Sequence, residues 1–124
     1  MKKITIGIIT SLLLGLASVA TADPVSVVWN CKLNDGKTRE DAQAVNAKWL
    51  KWARATGGTD AIESSFVTTV VGNLEGFMWV DTYPDLATFA KVFDADSGLD
   101  DDFNEIGPCS HNSMYRGERT EPAK

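Results

Sequence analysis

The chain has a single histidine, His111, and only two cysteines among 124 residues. Sites built from clustered imidazoles or thiolates are therefore excluded. Positive charge is scarce as well. The 12 Lys and Arg stand against 17 Asp and Glu, a formal net charge of −5. An acidic chain repels phosphate backbones, which excludes nucleic acid as a partner. There is no internal repeat, no low-complexity stretch and nothing resembling a nucleophile elbow. The length does not hold two domains. What is present, 44% hydrophobic and 23% charged residues, belongs to one ordinary globular domain.

Residues 1–22 carry the three parts of a secretory signal peptide. Lys2 and Lys3 form the charged end, Ile4 to Val19 the apolar stretch, and Ala20-Thr21-Ala22 a small-residue cleavage site. A membrane anchor is the alternative. Gly7, Thr10, Ser11, Gly15 and Ser18 interrupt the apolar stretch, and no basic stop-transfer cluster follows it. The protein is thus expected to be periplasmic or secreted, free of the membrane after cleavage. Residues 23–119 form one domain and residues 120–124 a flexible tail.

Export decides how Cys31 and Cys109 are read. In an oxidising compartment two distant thiols form a disulfide, the alternative being two free buried thiols. A loop closed from residue 31 to residue 109 stabilises by about 4 to 5 kcal/mol in the chain-entropy model.

Val25 to Leu33 alternates, with Val25, Val27, Trp29, Cys31 and Leu33 on one face, the period of a strand. Asn34-Asp35-Gly36 breaks it. Thr38 and Asp41 then stand in a capping-box-like spacing before a helix whose Ala42, Val45, Trp49, Trp52 and Ala53 form the apolar stripe, closed by Gly57-Gly58. Ser64 to Val71 reads as a second strand and Phe77 to Thr82 as a third, with Phe77, Trp79 and Asp81 sharing a face. Tyr83-Pro84-Asp85 caps a second helix with Leu86, Phe89, Ala90 and Phe93 as its buried stripe. Leu99, Phe103 and Ile106 suggest further helical turns, and Ser110 to Arg116 a last strand.

The order is βαββαβ, that of an α+β ferredoxin-like fold: a four-stranded antiparallel sheet with two helices on one face. In that topology the first and last strands are antiparallel neighbours, which brings Cys31 and Cys109 together. The other face would carry Val28 with either Phe66 and Val70 or Val67 and Val71. That is much apolar surface to leave in water, and a second copy packed face to face, a homodimer, is the expected remedy.

Over about Val25 to Arg116 this arrangement resembles the dimeric α+β barrel superfamily, through its element order, the Trp29-Asn30 strand, the Phe77-Met78-Trp79 strand and the aromatic helix after Tyr83-Pro84-Asp85. The resemblance implies two ferredoxin-like subunits joining their sheets into a barrel. Members include oxygenases acting without a metal, haem-degrading enzymes and stress-response proteins, so the fold alone does not choose an activity. The haem-degrading branch uses an Asn on the first strand, a Trp on the third and a His on the second helix. Asn30 and Trp79 match the first two, but Leu86 to Ser97 holds no His. No cofactor is expected.

Three constellations remain. His111 is where a general base near neutral pH is sought first, its plainer reading being a surface or strand-edge histidine. Trp29, Asn30, Trp49, Trp52, Trp79 and Phe89 are candidates to line a cavity for a flat apolar ligand, with Asn30 or Asp81 orienting it; aromatics at such spacing are otherwise core. Asp94 to Glu105 places oxygen ligands as a calcium loop does, Asp94, Asp96 and Glu105 among them, but Gly98 is fifth where the turn glycine should be sixth. The leading expectation is an exported barrel protein binding a small apolar or aromatic ligand. The alternatives are a cofactor-independent monooxygenase-like enzyme using the same pocket and a calcium-dependent interaction module.

Overall fold

Alternation sets the sheet. The computed structural model describes residues 23–72, 74–117 and 122–123; the signal peptide expected over residues 1–22 and much of the tail fall outside them. In β1 (Val25–Lys32) Val25, Val27 and Cys31 are buried. In β3 (Gly76–Tyr83) Phe77, Trp79, Asp81 and Tyr83 are buried. With β2 (Glu63–Thr68) and β4 (Cys109–Arg116) these form a four-stranded antiparallel sheet in the order β2-β3-β1-β4. The ladder pairs Trp29 with Trp79 and Val27 with Asp81, so the buried positions of both central strands point to one face.

The helices cover that face. At the start of α1 (Arg39–Gly57) the Thr38 hydroxyl accepts the Asp41 N–H while the Asp41 carboxylate accepts the Thr38 N–H, a complete capping box. Gly58, left-handed at φ 72°, ends the helix and donates to the Arg54 carbonyl. Asp85 caps α2 (Leu86–Phe93) by accepting the Thr88 N–H at 2.6 Å. A third helix, α3 (Asp100–Ile106), follows as a separate element where the sequence suggested extra turns.

Two expectations are corrected. Strand two begins at Glu63 and ends at Thr68, not Val71, because β3 begins only at Gly76 and leaves nothing for residues past Thr69 to pair with. Val70 and Val71 are therefore exposed loop residues, and Phe66 faces the helices, packed on Phe77 and Trp79. The buried stripe of α2 is also different: Thr88 and Val92 point inward, while Leu86 and Phe93 are exposed. The reason is Gly57. A Cβ there would stand 2.8 Å from Ile62 Cδ1, 3.2 Å from Thr88 Cγ2 and 3.4 Å from Val92 Cγ2, so the missing side chain lets α2 turn its small face against α1.

Two core clusters result. One gathers Val27, Ala53, Ile62, Tyr83 and Val92 toward α2; the other gathers Cys31, Ala42, Phe77, Trp79 and Ile106 toward α3. Trp29 packs against both. The Cys31–Cys109 disulfide joins register partners on β1 and β4 across 78 residues of sequence. Beside it, Lys32 N–H donates to Pro108 O at 3.0 Å and Asn34 N–H to Ile106 O at 2.8 Å, tying the end of α3 to the end of β1. No helix among the described residues is long and apolar enough to cross a membrane.

Candidate functional site

Where the two clusters meet, the space between sheet and helices is not filled. A cavity of 410 Å³ lies there. Its floor is the sheet, with Trp29 from β1 and Trp79, Asp81 and Tyr83 from β3. Asn46 and Trp49 of α1 form one wall. Ser97, Asp100, Phe103 and Asn104, in and just before α3, form the other, with Gly107 and Cys109 at its end. The floor residues Trp79, Asp81 and Tyr83 are buried while Asp100 and Asn104 are exposed, so the mouth lies between α1 and α3.

A chain of polar bonds crosses the floor. Asn46 donates Nδ2–H to Ser64 Oγ at 2.9 Å, and Ser64 donates its hydroxyl to Asp81 Oδ1 at 2.5 Å. Trp29 donates its indole N–H to Asp81 Oδ2 at 3.1 Å. Asp81 is 5% exposed. Burial pushes its carboxyl up from the ordinary 3.8 to about 6, against the downward pull of the bonds from Ser64 and Trp29. Burial, and then the neighbouring Asp81, pushes the Tyr83 phenol up as well. An aromatic cavity therefore contains a carboxyl that exchanges its proton close to neutral pH.

Of the residues singled out in sequence, Trp29, Trp49 and Trp79 come together in this cavity, with Asp81 among them. Trp52 and Phe89 do not; they pack against the cluster beside α2. Asn30 is exposed on the other face of β1, so of these two Asp81, and not Asn30, lines the cavity. In the register His111 pairs with Asn30, and its side chain lies outside the described residues. Asp94 caps the end of α2, Asp96 accepts the Gly98 N–H at 2.7 Å, and Glu105 pairs with Lys37. Among the described residues no three His, Cys, Asp or Glu side chains converge as a metal's ligands would.

Asn46, Asp100 and Phe103 escaped the sequence reading of the cavity. Asn46 carried a signal: it stands four residues after Ala42 and three before Trp49, a polar side chain on the buried stripe of its helix. A buried amide needs a partner, and its partner leads through Ser64 to Asp81.

No family model matches the chain, and no curated protein matches it in sequence. Solved structures do match. SnoaB from Streptomyces nogalater, described as a cofactor-independent oxygenase, superposes with a TM-score of 0.61 at 10% identity, over 82% of this chain and 100% of that one. A NIPSNAP-like domain protein from Burkholderia xenovorans gives 0.54 at 14% identity, over 82% and 90%. The hydroxynitrile lyase of Passiflora edulis gives 0.52 at 13% identity, over 82% and 99%. Such different descriptions on one scaffold, at such low identity, speak for architecture and not for activity: the chain has the ferredoxin-like α+β fold of the dimeric α+β barrel proteins.

Proposed function

We propose that this is an exported protein that holds a small, flat, largely apolar or aromatic molecule in the cavity above its sheet. The observation that carries the reading is the placement of Trp29, Trp49, Trp79 and Tyr83 around a buried carboxyl in a space of 410 Å³. That volume falls within the range of about 300 to 1,000 Å³ usual for small-molecule sites, where aromatic rings and placed polar groups line one space. Export is supported by the leader pattern of residues 1–22 and by the Cys31–Cys109 bridge.

The form in solution is a homodimer. The sheet face away from the helices carries half-buried Val28, Val67, Met78 and Val80, with exposed Tyr115 beside them. Apolar surface of that extent calls for a partner, and a second copy meets it face to face, as sheets of this fold join.

Tryptophan fluorescence titrated with haem and a panel of aromatic compounds tests the pocket. At least one is expected to quench the signal with one site per chain, and Trp49→Ala is expected to weaken that binding. Indifference across the whole panel sinks the reading.

A second reading is a cofactor-independent oxygenase-like enzyme in the same cavity. It is favoured by Asp81, a buried group whose carboxyl at about 6 is suited to take a proton from a bound substrate near neutral pH. Oxygen uptake in the presence of a bound ligand, lost in Asp81→Asn, would establish it; binding with no turnover leaves the first reading alone.

A further inference from the structure

We propose that the cavity selects an organic cation, an ammonium group carried on a flat aromatic frame. The inference rests on the small-molecule reading above and narrows it to one class of charge.

The described residues lining the cavity include two carboxylates, Asp81 at the floor and Asp100 at the mouth, and no Lys, Arg or His. The groups that bond or neighbour Asp81 are neutral, and the other charged group lining the cavity among the described residues is an acid. From β1 it meets Trp29, from β2 Ser64, and from α1 Asn46 acting through Ser64. Tyr83 neighbours it on its own strand, and Asp100 closes the cavity from α3. Three basic side chains of α1 are engaged outside the cavity: Lys48 pairs with Asp102 at 3.0 Å, Arg54 donates Nε–H to the Ile62 carbonyl at 2.9 Å, and Arg39 lies 5.6 Å over the Phe66 ring. A buried carboxylate without a counter-charge is costly, and the upward displacement of its pKa is the expression of that cost.

An ammonium ligand removes the cost. Each oxygen of Asp81 accepts one hydrogen bond from the protein, and a carboxylate oxygen has room for a second. The rings of Trp29, Trp49, Trp79 and Tyr83 line the same space, and aromatic rings attract cations, most of all when water is excluded. A neutral ligand gains the apolar contacts alone. An anion meets Asp100 on entry, Asp81 on arrival and an acidic protein throughout.

The test uses three molecules sharing one ring system: 1-naphthylmethylammonium, 1-naphthylmethanol and 1-naphthoate, titrated calorimetrically into the purified, disulfide-intact protein. At about pH 7.5 the ammonium is expected to bind at least about tenfold more tightly than the alcohol, with the carboxylate weakest. Because Asp81 takes up its proton at about 6, the ammonium's affinity is expected to fall about tenfold by about pH 5, while the alcohol's stays level. Asp81→Asn is expected to bring ammonium and alcohol to similar affinity. Should that variant not fold, the pH series on the unaltered protein and Asp100→Asn, expected to weaken the ammonium alone by about two- to threefold, decide the matter. An alcohol or carboxylate that binds as tightly as the ammonium, or an ammonium affinity indifferent to pH, overturns the cation proposal and leaves the small-molecule site standing. If none of the three binds, the cation proposal falls, and the small-molecule site stands or falls by the wider panel of haem and aromatic compounds.

Discussion

Trp29 reaches Asp81 along a diagonal of the central ladder: its register partner is Trp79, Asp81 stands opposite Val27, and the indole N–H spans the offset to Oδ2 at 3.1 Å. One ring therefore performs two tasks, as part of the cavity floor and as a donor that fixes the carboxyl there. Continued through Ser64 to Asn46, the same bonds join β1, β3, β2 and α1. None of the four side chains is left without a partner, which is how so polar a set persists among the aromatic rings of the floor.

The first prediction concerns acid and stability. The native state holds the Asp81 carboxyl at about 6, above its ordinary 3.8, so between these values the folded protein binds more protons than the unfolded chain. Stability contributed by this group therefore falls as pH rises through the window and is recovered as pH is lowered. Relative to Asp81→Asn, the unaltered protein should gain about 2 to 3 kcal/mol between about pH 7 and pH 4. Asp41 and Asp85, held below the usual carboxylate range by their cap bonds, give the opposite slope at lower pH but are common to both proteins and cancel. Urea unfolding at stepped pH checks this; parallel curves for the two proteins would refute it.

Much of the scaffold was legible because its signals are local. Alternation along Val25–Lys32 and Gly76–Tyr83, the Thr38–Asp41 capping box and the Gly58 stop act within a few residues and need no tertiary knowledge. The rotation of α2 was not legible. Leu86, Phe89, Ala90 and Phe93 satisfy the helical period as well as Thr88 and Val92 do, and the choice was made by the flat spot at Gly57, on another helix. The cavity shows the same division. Its tryptophans stood out by chemistry, whereas Asp100 and Phe103 became walls only because Asn34 and the chain around Pro108 bind α3 against the end of β1.

That attachment supplies a second prediction. A Cβ on Gly107 would lie 1.9 Å from the Lys32 carbonyl oxygen, a backbone atom that cannot swing aside. Gly107→Ala must therefore push α3 away from β1, at a cost on the order of 2 to 3 kcal/mol, and weaken ligand binding with it. Gly117→Ala, where nothing lies within 4 Å, is the control and should shift stability by less than about 0.5 kcal/mol. Paired melting curves and titrations of the two variants read both effects.

A third prediction concerns the bare face of the sheet. Val28 stands opposite Val80 on β3 and Ser113 on β4, at the middle of that face. A charge placed there costs little in a monomer, where water reaches it, and a great deal in a face-to-face pair, where water does not. Val28→Lys is expected to yield folded monomers, with the parent sedimenting as a dimer. A parent that sediments as a monomer at every concentration removes the second copy from the proposal.

The last prediction separates two roles of the Cys31–Cys109 bridge. As a cross-link over 78 residues it restricts the unfolded chain, and its loss should lower stability by about 4 to 5 kcal/mol in the chain-entropy account. Through Cys109 it also borders the cavity at the end of the α3 wall, but it does not hold that wall. Lys32 to Pro108, Asn34 N–H to Ile106 and the Asn34 side chain to Asn104 and Glu105 all bind that wall independently of the sulfurs. Cys31→Ser with Cys109→Ser should therefore unfold at markedly lower urea while ligand affinity, measured well below the transition, changes by less than about threefold, since an unfolded-state effect leaves native contacts in place. A variant that stays folded yet loses binding would show that the disulfide positions the wall directly.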